Sequence, residues 1–311
     1  MTTDSLHPST WDGTTPTTTT AVDGRRLAYA AYGPPDGTPV VFFHGTPGSR
    51  RLAALFDSAA HERGLRLLAP DRPGFGQSAP WPDRAVDDAG RVVAAVLDDA
   101  GVGSAGLVAF SGGAPHALAA AATRPGRVER VDLVAGATPP DCGPSPPAVQ
   151  RLLGGLATRA PVLLRGLLRG QAWLAGRLGP ALVVGGYADD PGAVPDDVAE
   201  VVREDFVEAV GATRRGAVTE FRHATAPWPF SLDAVAAPVV LWHGDADTNV
   251  PVAGARRLAS RLPTATLRVR DGADHLRTLL RCTPDALDGH ARRGAGGDGA
   301  ADNLGRGVAQ L

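Results

Sequence analysis

Short runs of consecutive apolar residues alternate along most of this chain with stretches in which apolar positions recur every three or four residues. The runs Arg26–Tyr32, Pro39–His44, Leu65–Pro70, Ala105–Phe110, Arg130–Ala135, Pro238–His243 and Thr266–Arg270 predict strands, several of them apolar almost throughout. That is the pattern of a sheet covered on both faces. Helical spacing predicts helices over Ser49–Glu62, Val86–Ala100, Ala114–Thr123, Val252–Leu262 and around His275–Leu287. Strand and helix in alternation, joined by short turns, imply an α/β fold with a doubly wound, mostly parallel sheet.

The alternation stops between about Pro144 and Ala236, where helical patterns occur without a convincing strand, and resumes at Ala237-Pro238-Val239-Val240-Leu241-Trp242. A helical cap inserted late in the sheet is the natural reading. The expected organisation is a core over 21–143 and 237–290, a cap over 144–236, and flexible ends over the Thr/Pro/Ser-rich residues 1–20 and the Gly/Ala-rich residues 291–311. Charge within the insertion is divided: Gln150 to Gly186 carries Arg151, Arg159, Arg165, Arg169 and Arg177 without an acid. Asp189 to Glu208 then supplies Asp190, Asp196, Asp197, Glu200, Glu204 and Asp205 against a single Arg203. The plainer expectation is that the two halves pack together through complementary surfaces. The alternative is that the basic half, rich in leucine at 152, 153, 163, 164, 167 and 168, touches lipid.

Composition narrows the picture. With 311 residues, 43% of them apolar, the chain can bury the core of one large α/β domain plus an insertion. A formal charge of -2 offers no basic excess for general nucleic-acid binding. All 31 basic residues are arginine, so neither a lysine base nor a Schiff base is available. Cys142 and Cys282 lack ligand-type spacing and read as ordinary thiols, so no disulfide framework, metal or other cofactor is expected. The N-terminal residues carry no targeting pattern and no apolar run reaches the roughly 18 residues of a membrane span. A soluble cytoplasmic protein without stable membrane insertion is the expectation, and no feature sets its oligomeric state.

The segment Leu107-Val108-Ala109-Phe110-Ser111-Gly112-Gly113-Ala114 is an apolar run that stops at a serine followed by two glycines. A strand feeding directly into a helix places such a serine on a strained turn, its hydroxyl above the sheet and its neighbours necessarily small. Against the pattern G-x-S-x-G, the chain has Ala109 at the first position. A serine hydroxyl is a poor nucleophile near neutral pH, and it needs an imidazole to take its proton and a carboxylate to orient that imidazole. Later strand ends supply both: Asp245 and Asp247 follow His243-Gly244, and His275 follows Arg270-Asp271-Gly272-Ala273-Asp274. By residue type, Asp245, Asp247 and Asp141 each remain open as the acid. The order Ser, Asp, His is the one such a sheet uses, and its sites lie at the carboxyl edge.

Four motifs together, His44-Gly45-Thr46-Pro47-Gly48-Ser49-Arg50, Asp71-Arg72-Pro73-Gly74-Phe75-Gly76-Gln77-Ser78, the serine turn and the Asp247/His275 pair, resemble the α/β-hydrolase-fold serine hydrolases with an inserted cap. The resemblance covers Thr20 to His290. It implies that the acid stands three residues before Val250-Pro251, at Asp247, with Asp245 capping or bracing the turn. It also implies that His275 precedes a helix, although Asp274 stands where relatives usually carry glycine. The backbone amides of Gly112, at a helix start, and of Thr46 are the expected oxyanion donors. His44 is expected to shape its turn, His116 and His243 to be packed or hydrogen-bonded, and His7, His61, His223 and His290 to lack a catalytic role. Asp71 to Ser78 reads as a structural turn with Arg72 paired locally. Of the insertion's aromatics Trp173, Tyr187, Phe206, Trp228 and Phe230, one or two should wall an apolar pocket.

A serine nucleophile implies an acyl-enzyme and a small-molecule acyl substrate, with a small carboxylic ester the first expectation. An iminopeptidase-like peptide hydrolase is the nearer alternative, with Glu204 and Glu208 available to hold a substrate amine. A haloperoxidase-type side activity is compatible, and a non-hydrolytic small-ligand receptor on the same fold is the alternative from another class.

Overall fold

The computed structural model describes residues 17–142 and 148–301, with side chains as far as 292. Eight strands, β1 (Thr17–Val22), β2 (Arg25–Tyr32), β3 (Thr38–Phe43), β4 (Leu65–Pro70), β5 (Ala105–Phe110), β6 (Val128–Val134), β7 (Val239–Gly244) and β8 (Ala265–Arg270), form one sheet in the order β1-β2-β4-β3-β5-β6-β7-β8. β1 and β2 run antiparallel to their neighbours, and every pair from β4 onward is parallel. The inner strands β5 and β7 are buried at every position, whereas the edge strand β8 alternates between half-buried and exposed residues. The expected strands are all present, within a residue or two at their ends.

Outside the insertion, α1 (Asp57–Glu62), α2 (Ala89–Asp99), α3 (Ala114–Thr123), α9 (Val252–Arg261) and α10 (His275–Ala301) cover the sheet. Between β6 and β7 stand α4 (Ala148–Arg159), α5 (Pro161–Leu178), α6 (Ala181–Val184), α7 (Asp196–Gly211) and α8 (Arg215–His223). One apolar layer joins Phe42, Phe56, Leu279 and Leu287 on one face of the sheet, and another joins Phe43, Val93, Leu107, Leu118 and Leu241 on the other. Parallel strands buried on both faces need this double cover.

Three expectations are corrected. Thr17–Thr20, assigned to a loosely ordered end, belong to β1 and pair with Leu27–Ala30 of β2. β-branched threonine suits a half-exposed edge strand, and its polarity hid the strand from an apolar pattern. At the other end α10 continues past residue 291 to Ala301, while residues 302–311 lie outside the described ones, as do 1–16. The helix expected over Ser49–Glu62 is two pieces, a 3-10 turn over Arg50–Phe56 and then α1. Asp205 holds the Ser49 amide at 2.7 Å and Asp71 holds the Arg50 amide at 2.7 Å, so the first turn is set by buried carboxylates rather than by helical spacing.

The inserted helices have their own apolar core, made by Ala157, Leu164, Leu168, Val210 and Ala217 and entered by Phe75 from the Asp71–Ser78 turn. Gly74 makes this approach possible. Its φ is +88°, and a Cβ there would lie 2.6 Å from the amide nitrogen of Gly216 on α8. The insertion's halves do pack together, α5 and α6 against α7, but through apolar side chains such as Leu164, Leu168 and Val210 rather than through charge: among the described residues, no ion pair joins Arg159, Arg165, Arg169 or Arg177 to the acids between Asp189 and Glu208. Those acids are used elsewhere, Glu200 with Arg203, Glu204 with Arg51 and Glu208 with Arg50. No helix among the described residues is long and apolar enough to cross a membrane.

Candidate active site

β5 delivers Ser111 to the carboxyl edge of the sheet and α3 begins three residues later, after a 3-10 turn over Ser111–Gly113. The serine adopts φ +50°, a left-handed conformation that costs a non-glycine residue about 1–3 kcal/mol and that the flanking strand and helix hold in place. Gly112 must be small for a nearby reason: a Cβ there would lie 2.3 Å from Thr46 Oγ1 and 3.2 Å from the Thr46 amide nitrogen. Gly112 and the loop after β3 therefore meet at contact distance, with both backbones beside the Ser111 turn.

β7 and β8 bring the other two groups. His275 Nε2 lies 2.9 Å from Ser111 Oγ, and its Nδ1 lies 2.7 Å from Asp247 Oδ2. With the carboxylate accepting at Nδ1, the imidazole proton sits there and Nε2 is left to accept from the serine hydroxyl. The other carboxylate oxygen, Oδ1, accepts from the amides of Asn249 and Val250, each at 2.9 Å, so both oxygens are positioned. His275 and Asp247 are buried, while Ser111 is half-buried.

The structure also places the remaining candidates. Asp245 accepts from the Gly272 amide at 2.7 Å and braces the β7 loop against the β8 loop, and Asp141 pairs with Arg261 at 2.8 Å on the surface. Neither is the carboxyl at the imidazole. His44 donates from Nδ1 to Gly45 O at 2.7 Å and accepts the Arg72 amide at Nε2, which shapes its turn; burial and then Arg72 hold its pKa well below the usual imidazole range. His243 bonds Val250 O at 2.7 Å, and burial lowers its pKa. Asp274 caps α10 by accepting the Arg277 amide at 2.7 Å and also accepts the Asp189 amide at 3.2 Å, fastening the insertion to the His275 loop.

A buried ionic cluster, invisible in the sequence pattern, sits under Thr46. Arg72 is not paired locally: it donates to both oxygens of Glu220 on α8 at 2.7 Å, and to the carbonyls of His44 and Gly45. Arg84 reaches the same carboxylate at 2.8 Å, and Thr46 Oγ1 donates to it. Burial opposes ionisation of Glu220, but Arg72 and then His116 hold its carboxyl well below the ordinary range. His116, 3.2 Å from Glu220 Oε1, is kept neutral by burial, its pKa lowered to about 4 despite the carboxylate. A second cluster joins Arg50 to Asp71 and Glu208, each at 2.7 Å, and Arg51 to Glu204 at 3.1 Å. Glu204 and Glu208 are thus engaged by arginine and are not presented for a substrate amine.

Beside the Ser111–His275 pair lies a cavity of about 20 Å³ lined by Gly45, Pro47, Leu52, Phe110, Tyr187, Val202, Asp205, Leu276 and Leu279. That is room for about one water. Tyr187 is the insertion aromatic that walls it, its ring stacked 6.2 Å from the His275 ring. Trp173 is exposed, and Trp228 stacks on Phe230 away from the cavity. Asp205 is the acid of the lining; burial pushes its carboxyl up to about 7, against the hydrogen bonds from Ser49. Three hydrogen bonds tie the segment over this cavity to the loops below: Tyr187 O accepts from Leu276 N at 3.0 Å, Gly186 O from Asn249 Nδ2 at 2.9 Å, and Asp274 from Asp189 N.

A sequence profile described as alpha/beta hydrolase fold matches residues 38–277. An uncharacterized hydrolase, YcgS of Bacillus subtilis, is 29% identical over 145 residues, 46% of this chain and 49% of that protein. The chain spans about half the length of the curated relatives it matches or less. Among solved structures, a bromoperoxidase from Bacillus anthracis superposes with a TM-score of 0.71 at 20% identity, over 89% of this chain and 100% of that one. An esterase from Exiguobacterium antarcticum superposes with a TM-score of 0.69 at 18% identity, over 88% and 99%.

Proposed function

The chain belongs to the α/β-hydrolase fold family, and from that premise we propose that it is a serine hydrolase working through an acyl-enzyme on Ser111, with a small carboxylic ester as substrate. The single observation that carries this reading is the continuous contact from Asp247 through His275 to Ser111, at 2.7 and 2.9 Å. In this reading Ser111 Oγ attacks the acyl carbon while His275 Nε2 takes its proton, and Asp247 steadies the imidazolium that forms. The backbone amides of Thr46 and Gly112 receive the oxyanion. His275 then returns the proton to the leaving alcohol, and a water activated by the same imidazole releases the acid.

The apolar side chains of Leu52, Phe110, Val202, Leu276 and Leu279 in the cavity lining favour a small apolar acyl group. At about 20 Å³ the cavity is too small for any ester, so substrate reaches it after the segment Gly186–Asp189 moves away. In the same reading 144–236 is a cap over a core of 21–143 and 237–290. The engagement of Glu204 and Glu208 by Arg51 and Arg50 removes the feature that favoured an iminopeptidase.

The test is hydrolysis of p-nitrophenyl esters of increasing acyl length beside a panel of aminoacyl anilides, with the S111A variant as control. Turnover of short esters that vanishes in S111A supports the reading. Inert esters with turnover of N-terminal proline anilides overturn it, as does tight binding of a small ester without turnover.

A further inference from the structure

The large apolar side chains most exposed among the described residues all lie between Val149 and Leu182, on α4, α5 and α6, with exposures from 38% to 70%. On α5, Leu164 and Leu168 face the insertion's core and Ala175 is buried beside them, while Leu163, Leu167, Leu174 and Leu178 form a second row turned to solvent. At about 100° per residue this outer row falls within an arc of roughly 60°, so it is one stripe and not a scatter. Val149 and Leu152 of α4, which packs beside α5, extend the same surface. An apolar patch of this kind on a folded chain marks an interaction site.

Its charge says what kind. Arg151, Arg159, Arg169 and Arg177 are exposed on the same helices, and Gln150 to Gly186 contains no acid. Arg177 lies 4.1 Å over the ring of the exposed Trp173, which puts a cation and an amphipathic ring side by side on this face. Of the acids that follow in sequence, Glu200, Glu204 and Glu208 are turned toward Arg203, Arg51 and Arg50. A second copy of the chain is a poor occupant, because a two-fold contact would set these arginines against each other. A surface both apolar and uniformly negative fits.

We propose that the solvent face of α4 and α5 docks peripherally on an anionic lipid bilayer, its leucine stripe entering the headgroup boundary while the arginines meet lipid phosphates. Apolar burial and basic charge are the two signals that peripheral attachment needs, and on α5 Arg177, stacked on Trp173, stands beside the leucine stripe. The attachment is independent of the chemistry at Ser111. It bears on access, however, since α6 leads directly into the segment Gly186–Asp189 fastened over His275.

The test is co-sedimentation of the full chain with vesicles of phosphatidylcholine and with vesicles of phosphatidylcholine and phosphatidylglycerol in equal parts. Binding to the mixed vesicles only, weakened by salt, is expected. The variant R177Q should lower the affinity about five-fold. The triple variant L163S/L167S/L174S should lose binding while keeping the wild-type thermal midpoint, and S111A should bind as the wild type does. No binding to mixed vesicles, or equal binding to both kinds, overturns the proposal. So does a concentration-dependent dimer in solution that the leucine variant abolishes, or equal affinity for polyglutamate, which would identify an acidic polypeptide as the occupant.

Discussion

The hydroxyl of Thr46, in the loop after β3, donates a hydrogen bond to Glu220 of α8, 174 residues further along the chain. The same carboxylate takes both arms of Arg72 and one of Arg84, so a single buried group ties the proposed oxyanion loop, the Asp71–Ser78 turn and the inserted helices together. The position of one proposed oxyanion donor therefore depends on the insertion being docked.

Glu220→Gln should show this. Arg72 and Arg84 are 1% and 4% exposed, and losing their shared counter-charge leaves buried cations uncompensated. A loss of about 3–5 kcal/mol in unfolding free energy is expected, read from urea denaturation. The double variant E220Q/R84M should recover part of it, because it removes one of the stranded charges. A stability equal to wild type in E220Q would contradict the role assigned to the cluster.

The contact between Gly112 and Thr46 gives a second expectation. Gly112→Ala drives a methyl group into Thr46 Oγ1 and Cβ, and the loop must retreat from the Ser111 turn. If its amide is an oxyanion donor, kcat for ester hydrolysis falls by about 10²-fold or more with KM little changed. The double variant G112A/T46G removes the clashing atoms and should restore much of the rate. Additive losses in the double variant would show that the clash is not the cause.

The three groups brought together at the sheet edge were legible because each follows the end of a predicted strand: Ser111 after the apolar β5, Asp247 after the apolar β7 and His275 after the alternating edge strand β8. The strands themselves were legible as runs with recurring apolar residues, which is why threonine-rich β1 escaped. Glu220 had no such mark. Its partners Arg72 and Arg84 lie 148 and 136 residues away, and only docking of α8 onto the Asp71–Ser78 turn brings them together. Tyr187 was one aromatic among five, and its place over His275 comes from a loop that helical spacing does not encode. Asp205 looked like one more surface acid of α7, whereas it faces Ser49 and the cavity.

Asp247 and Asp245 stand two residues apart and do different work. Asp247→Asn keeps an oxygen for the Asn249 and Val250 amides but no longer holds the proton on His275 Nδ1. A loss of about 10⁴-fold in kcat with an intact fold is expected. Asp245→Asn, by contrast, touches only the brace to Gly272 and should leave the rate near wild type. Equal losses in the two would assign the acid wrongly.

Asp205 should impose a pH dependence on stability. Burial raises its pKa to about 7 in the folded chain, with Asp71 adding to the rise and the Ser49 hydrogen bonds opposing it. The folded state then holds a proton that the unfolded carboxyl, titrating near 3.9, has released. This contribution is fully present below about pH 4 and is lost as pH rises toward 7, on the order of 4 kcal/mol. Asp205→Asn keeps the acceptor for Ser49 and should flatten that part of the profile, measured as urea midpoints across pH 4 to 8. A wild-type contribution that instead grows over this window would mean that the carboxyl is ionised when folded.

The central claim is that Ser111 is a nucleophile activated by His275, and intact-mass analysis after treatment with a fluorophosphonate tests it most directly. One adduct is expected per chain, mapped to Ser111, absent in S111A and formed far more slowly in H275A. An unmodified wild-type protein, or an adduct that persists in S111A, would contradict the account.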